Sequence, residues 1–431
     1  MNERLRVLFC DHLSIARGKY LPREKAATGA TRFARPTFGV HFDKDLLNAP
    51  GAMVMEGLPD MECRFQGEDI RDSWVAGEKI VVGDLYDTEG APLGLCGRQA
   101  LKRAIEAWEA KGLTPKVGIE LECYALQGSE DGRLVPYDTP GGVVYGTGPF
   151  TDPLRFCDAI WEKAEAAGFN IEVQTAEYDA PQFEFTLAYA PALEAVDDVF
   201  LFRQLAREVA LDHGILLTFM PKPIAEASGS GMHINFSFAD LNGDNAFAKP
   251  ASTAAEGVVM SDLAKSCVAG LVHHHKGLAG LVAPTANSYQ RLQPASLSGF
   301  WQNWGGDHRG VTTRVSSETG AKARLEHRMA DASANPYTAV AAVLQAARLG
   351  VEHKYPLPAM ETGDCLEHTD AKVGTALDLK GATKDLAADR ALGDAVGRLL
   401  CDNQIYMRRE EVKKTKDLEG DALRDFYVHF I

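Results

Sequence analysis

Among the eight cysteines of this 431-residue chain, no two stand as a CxxC pair. Cys10, Cys63, Cys96, Cys123, Cys157, Cys267, Cys365 and Cys401 are spread along its length. That spacing argues against a disulfide scaffold or a zinc cluster and for reduced, mostly buried thiols. No apolar run approaches the ~20 residues needed to cross a bilayer, so no membrane association is expected. The opening residues, MNERLRVLFCDH, hold neither a long apolar stretch nor a cleavage-like site, and the expected location is cytoplasmic. An excess of positive charge is also missing. The formal net charge is -15, which disfavours nucleic acid as a partner and is compatible with a site of clustered carboxylates that holds cations. Internal repeats and low-complexity tracts are absent.

What is present is the composition of a globular protein able to bury a sizeable core, 45% hydrophobic. The length suggests about two to three units of ordinary domain size, or one large body with an accessory domain. Residues 1–95 mix strand-like runs with turns, and the expected domain boundary falls near 95, leaving 96–431 as the larger unit. Helices are expected over 97–113, with Leu101, Ile105 and Trp108 on one face, and over 152–169, 190–214 and 261–282. Alternating strands lie between them, at 116–126, 182–189, 232–238 and 323–330. Strands and helices in this order predict an α+β fold with a sheet lining a cleft.

The polar faces of those strands share one oddity. Glu120 and Glu122 stand two residues apart, hence ~6.6 Å by strand rise. Glu177 precedes Glu184 by seven residues. His233 heads the strand MHINFSF just after the glycines Gly229 and Gly231, and Glu326 lies between Arg324 and Arg328. Taken singly, each alternation reads most simply as a solvent face. Together they carry glutamate, one histidine and arginine with almost no lysine. Crowded carboxylates repel unless a cation sits among them, and an oxygen-rich donor set favours Mg2+ or Mn2+ over Zn2+. Metals flanked by arginines are how phosphoryl-transfer sites are built. The tract His273, His274, His275 is a weaker metal candidate, because neighbouring helical residues point in different directions.

The segments TFMPKP, GSGMH, NSYQRL and RLEHRMADASANPY occur in that order. From about Gly94 to the C-terminus, this order and spacing resemble the glutamine synthetase family of the bacterial type. The stretch DHLSIARGKYLPREK (11–25) also resembles, more loosely, the family's small N-terminal β-grasp domain. The resemblance implies an N-terminal β-grasp-like domain and a catalytic domain built on a curved antiparallel sheet. It further implies ATP-dependent phosphorylation of the glutamate γ-carboxylate, followed by displacement of phosphate by an amine. One divalent ion would be held by Glu122, Glu177 and Glu184 and a second by Glu120, His233 and Glu326, with two to three Mg2+ or Mn2+ ions per site. Arg291 would grip the amino-acid carboxylate. Arg309 and Arg314 would contact ATP phosphates, and Arg328, beside Glu326, would stabilise the transferring phosphoryl group. Asn235 and Ser237 would face the nucleotide, while Gly229 and Gly231 would let backbone approach the substrate. The implied assembly is a homo-oligomer, a dodecamer of two hexameric rings with active sites between neighbours. No adenylylation-type tyrosine is expected near residues 354–364.

The chain departs from that pattern at three places. Leu297 occupies the position, six residues after Arg291, where glutamine synthetases carry a flap glutamate. Glu56 or Asp60 are the loose substitutes for an N-terminal aspartate that helps bind ammonium. Ser228 replaces the asparagine before GSGMH. The stretch RLQPAS also resembles the γ-glutamylpolyamine and γ-glutamylmethylamide synthetases. The expected reaction is therefore ligation of glutamate, or a near relative, to an organic amine. An ordinary glutamine synthetase using ammonium is the alternative. A catalytically inactive relative is disfavoured by the complete ligand set.

Overall fold

In the computed structural model, which describes residues 4–248 and 258–431, one long strand organises the chain. Thr114–Gly128 pairs antiparallel with Met232–Ala239 along one edge and with Gln182–Leu187 along the other. Beyond these lie Ile171–Ala176 on one side and Leu325–His327, Thr313–Val315 and Trp304–Gly306 on the other. Three short strands complete a ten-stranded sheet, antiparallel except where Trp304–Gly306 runs parallel to Thr313–Val315. The sheet is flanked by helices, and the fold is α+β.

Alternation along the long strand decides which face is buried. Val117, Ile119, Leu121 and Cys123 are buried against the helices Gly97–Glu109 and Ala192–Asp212, whereas Glu120 and Glu122 point to the other face and stay partly accessible. Trp108 joins three layers. Its ring centroid lies 4.0 Å from that of Phe238, and its indole N–H donates to the Leu344 carbonyl at 3.0 Å. The helix Pro336–His353, capped by Asn335, packs closely on Asp262–His273 because glycines meet at the crossing. A Cβ on Gly350 would lie 2.1 Å from the Ser266 carbonyl oxygen.

The N-terminal sheet places Arg4–Cys10 between antiparallel Ala16–Pro22 and parallel Glu78–Val82, a β-grasp-like order. Leu5, Val7 and Phe9 pack in a small core with Phe38, Met61 and Leu85, while Leu8 and Cys10 belong to the main core. The sheet is thus welded to the larger body through one face. All eight cysteines are free and buried. Among the described residues no helix is long and apolar enough to cross a membrane.

Two expected helices are altered. The one predicted over 261–282 is two, Asp262–His273 and His275–Val282, broken at His274, whose Nδ1 lies 2.8 Å from Asp389. His273 instead stacks on Tyr355, and His275 approaches the Phe300 carbonyl, so the three histidines diverge. The helix predicted from 152 begins at Phe156, because the Asp152 carboxylate accepts the Cys157 amide hydrogen at 2.8 Å and holds the preceding turn.

Trp108→Ala should cost about 3–5 kcal/mol of stability, the range for deleting a large buried aromatic side chain. The midpoint of urea unfolding, followed by circular dichroism, checks this.

Candidate active site

Strand register assembles the polar face. Glu184 stands opposite Glu122, and His233 stands opposite Glu120. Glu326 has Asn235 on one side and Arg314 on the other. Opposed side chains on one sheet face have Cβ atoms about 5 Å apart, so residues distant in sequence become a continuous row. Ligand atoms of Glu120, His233 and Glu326 all lie within 4.8 Å of one another. Glu122 Oε1 is 3.0 Å from His233 Nε2, and its other oxygen accepts the Gly231 amide hydrogen at 2.7 Å. Glu177 lies just past the edge strand, its amide donating to the Gln182 carbonyl at 2.9 Å.

The row is electrostatically uneven. Burial alone would raise the Glu122 pKa, but the hydrogen bond and charge of His233, the Arg291 charge and the Gly231 amide bring it to about 2. Glu326 likewise falls to about 2, with burial outweighed by Arg328, His233 and Arg314. Glu184 moves the other way. Burial, then the charges of Glu120, Glu122 and Glu177, push it to about 8. Glu177 is raised as well, by burial and by Glu122. Both carboxyls are raised for want of compensating positive charge. A set of five carboxylates and one imidazole with that deficit fits hard divalent cations.

Four arginines surround the row. Arg314 Nη1 donates to Glu326 at 2.8 Å and Nη2 to Asp307 at 2.5 Å. Arg328 also donates to Glu326. Arg291 is buried, and its guanidinium donates to the carbonyls of Met329 and Arg328 at 2.7 and 3.1 Å. Arg309 is exposed, with Glu177 and Asp307 inside its electrostatic reach. The glycines before His233 are needed for close approach. A Cβ on Gly229 would lie 2.5 Å from Arg291 Cγ, and one on Gly231 would lie 2.8 Å from both Arg291 Nη2 and His233 Cε1.

Beside Glu120 opens a cavity of 360 Å³, lined by Gly118, Thr186, Tyr189, Asn235 and Arg324 among others. Asn235 bridges, donating to Glu120 at 2.9 Å and accepting from Arg324 Nε at 3.1 Å. Ser237 is buried behind Tyr189, their hydroxyls hydrogen-bonded, so Tyr189 rather than Ser237 lines the cavity. Leu297 is 48% exposed. Gly299, two residues on, abuts the backbone of Met329. Glu56 and Asp60 are both exposed in the N-terminal region.

Sequence reasoning overlooked Gln182, Tyr189 and Asp179, and it placed Arg324 on the charged face without giving it a role of its own. The Gln182 amide donates to the Gly229 carbonyl and the Ser230 hydroxyl, each at 3.1 Å, bracing the glycine turn. Its place on the Glu184 face of an alternating strand was a usable signal. Arg324 alternates with Glu326 and Arg328 and was equally visible. Asp179, which accepts the Ser228 amide and hydroxyl hydrogens at 2.5 and 2.6 Å, joins two loops and leaves no periodic trace.

Because the folded pKa of Glu184 lies above its ordinary value, the metal-free protein loses this group's contribution to stability as pH rises through about 8. A cation held by Glu184 would displace that group's proton, so Mn2+ affinity should rise by up to about tenfold per pH unit between pH 6 and 8. Calorimetry in buffers of different ionisation enthalpy would count the released protons, and Glu184→Gln should flatten the slope.

Residues 94–426 match the glutamine synthetase catalytic domain. A glutamine synthetase of Halobacterium salinarum is 28% identical over 98% of this chain and 93% of its own length. A glutamate–isopropylamine ligase of Pseudomonas sp. is 31% identical over 65% of this chain and 62% of its own length. Among solved structures, apo GmaS superposes with a TM-score of 0.83 at 26% identity, covering 99% of this chain and 96% of that one. Matched domain, shared fold and relatives spanning nearly the whole chain lead to one conclusion: the chain belongs to the glutamine synthetase family.

Proposed function

We propose that this chain is an ATP-dependent ligase that joins glutamate, or a close analogue, to an organic amine through a γ-glutamyl phosphate. The observation that carries the choice of amine is Leu297. It is an exposed aliphatic side chain, six residues after Arg291, at the position where the ammonium-using relatives were expected to carry a carboxylate. A carboxylate there would attract NH4+ and take its proton. Leucine offers apolar surface to an alkyl substituent instead. The likeness to a glutamate–isopropylamine ligase and to GmaS supports the same choice. Relatives of nearly full length that are glutamine synthetases favour a second reading, glutamine synthesis from ammonium.

The residues would divide the work as follows. Glu122, Glu177 and Glu184 would hold one divalent cation and Glu120, His233 and Glu326 another. Bound Mg2+ or Mn2+ would neutralise phosphate charge and act as a Lewis acid on phosphoryl oxygens. Arg291, held by two backbone carbonyls, keeps guanidinium hydrogens for the amino-acid carboxylate. Gly229 and Gly231 leave the space against it open. The nucleoside would occupy the cavity between Tyr189, Asn235 and Arg324. Arg309 and Arg314 would meet its phosphates, and Arg328 the group in transfer. Two anions must approach each other in this step, and preorganised positive charge lowers that barrier. The acyl phosphate must then be shielded from water until the amine attacks, a task for the Leu297 segment. A dodecamer of two hexameric rings in the cytoplasm is part of this proposal.

Phosphate release with ATP, glutamate and a panel of ammonium, alkylamines and polyamines should be highest with an organic amine. Highest release with ammonium supports the second reading, and no release with any amine rejects ligase activity towards glutamate. Leu297→Glu should shift the kcat/KM ratio of ammonium to isopropylamine upward by about tenfold or more, as expected when a pocket gains a charged partner for one substrate.

A further inference from the structure

Glu361 lies outside the carboxylate row, in the loop that follows the helix Pro336–His353, yet it is only 5% exposed. Five donors converge on it. The amides of Gly363 and Asp370 donate to Oε1 at 2.9 and 2.7 Å. Asn303 Nδ2, the Thr369 hydroxyl and the Ala371 amide donate to Oε2 at 2.9, 2.8 and 3.4 Å. Burial would raise its pKa, but these donors bring it to about 2, so the group is a fixed anion.

The network continues towards the arginines. Asn303 Oδ1 accepts the Thr312 amide hydrogen at 3.1 Å. The Thr312 carbonyl accepts the Arg328 amide hydrogen at 2.8 Å, and the Thr312 hydroxyl donates to the Gly299 carbonyl at 2.8 Å. From the same loop, the Gly363 carbonyl lies 2.8 Å from His308 Nε2, and His308 Nδ1 accepts the Gly310 amide hydrogen at 3.0 Å. A Cβ on Gly310 would come within 2.8 Å of the Asp364 carbonyl oxygen. Loop and turn are therefore packed backbone to backbone. Glu361 orders its own loop through three amides and a hydroxyl, and it reaches the 308–312 turn through Asn303.

We propose that Glu361 is a positioning residue, which holds the turn carrying Arg309 and the backbone at Arg328 so that both guanidiniums meet the phosphoryl group in transfer. This rests on the ligase reading above. Glu361 touches no reactant. Its role is to fix where the 308–312 turn stands relative to the sheet, because an ionised carboxylate only accepts, at two oxygens with about four lone-pair sites, and so can hold several donors at once. Glutamine at this position would turn an NH2 group towards N–H donors and loosen the turn while keeping side-chain volume.

The test is steady-state kinetics of Glu361→Gln, in the parent and in an Arg309→Ala background, with thermal unfolding of each variant. Misplacement of a phosphate-facing arginine by a fraction of an ångström should lower kcat/KM for ATP by about 10- to 100-fold. The factor should shrink in the Arg309→Ala background, where one of the two guanidiniums being aimed is gone. A folded Glu361→Gln enzyme within about twofold of the parent overturns the proposal, as does an equal loss in both backgrounds. Should Glu361→Gln lack a cooperative unfolding transition, Thr369→Val decides by the same comparison. It removes one donor, and a loss of about threefold is expected while none overturns the proposal. A parent enzyme that releases no phosphate with any amine or ammonium overturns the ligase reading and this inference with it. An active parent with an unperturbed Glu361→Gln variant overturns this inference alone.

Discussion

The structure is arranged around a repulsion. Glu120, Glu122 and Glu184 are brought side by side by strand register, with Glu177 close by and Glu326 two strands over, across Met232–Ala239. Backbone pairing does not relax to separate them, because their strands carry the apolar core on the other face. Sliding any strand by one residue would expose Val117, Ile119, Leu121 or their partners to water. The hydrophobic face thus imposes the carboxylate row. The charge imbalance is then met by His233 on Glu122 and by Arg314 and Arg328 on Glu326, while Glu184 and Glu177 are left raised by burial and by their acidic neighbours. That uncompensated negative charge fits a divalent cation.

Around that row, small residues and fixed carbonyls govern access. The turn at Gly229 and Gly231 lies so near Arg291 and His233 that any side chain there would collide with them. Gln182 and the Asp179–Ser228 pair brace the same turn from the Glu184 side. Glu326 is contacted by two arginines as well as lying among potential cation ligands. In the proposed reaction its position would couple the cation ligands to the phosphate-facing arginines. Further out, the 361–371 loop buttresses the turn that carries Arg309, which places an arginine on an exposed turn without leaving that turn unsupported.

Much of this was legible beforehand. Alternation in KVGIELECY, QFEF and MHINFSF follows directly from the two-residue period of a strand, so the sorting of apolar and charged faces needed no coordinates. The run of motifs TFMPKP, GSGMH, NSYQRL and RLEHRMADASANPY pointed to the glutamine synthetase family by resemblance rather than by period. Each is a short local pattern whose residue types are dictated by charge and close approach. Helix ends were less legible. The interruption at His274 depends on Asp389, and the late start at Phe156 depends on a turn held by Asp152. Both follow from contacts that periodicity does not encode.

The chain by itself determined the fold class and the residues that form the charged faces, since these follow from local periodicity, while its ordered motifs carried the resemblance to the family. Only the tertiary structure decided which carboxylate stands opposite which, because cross-strand register is set jointly by every strand of the sheet. It likewise decided that Tyr189 lines the cavity in place of Ser237, that Ser228 is engaged by Asp179, and that Glu361 reaches the arginine turn through Asn303. These are long-range meetings of polar groups from loops. Burial forces such groups to find partners, but nothing in the order of residues along the chain says which partner each will find.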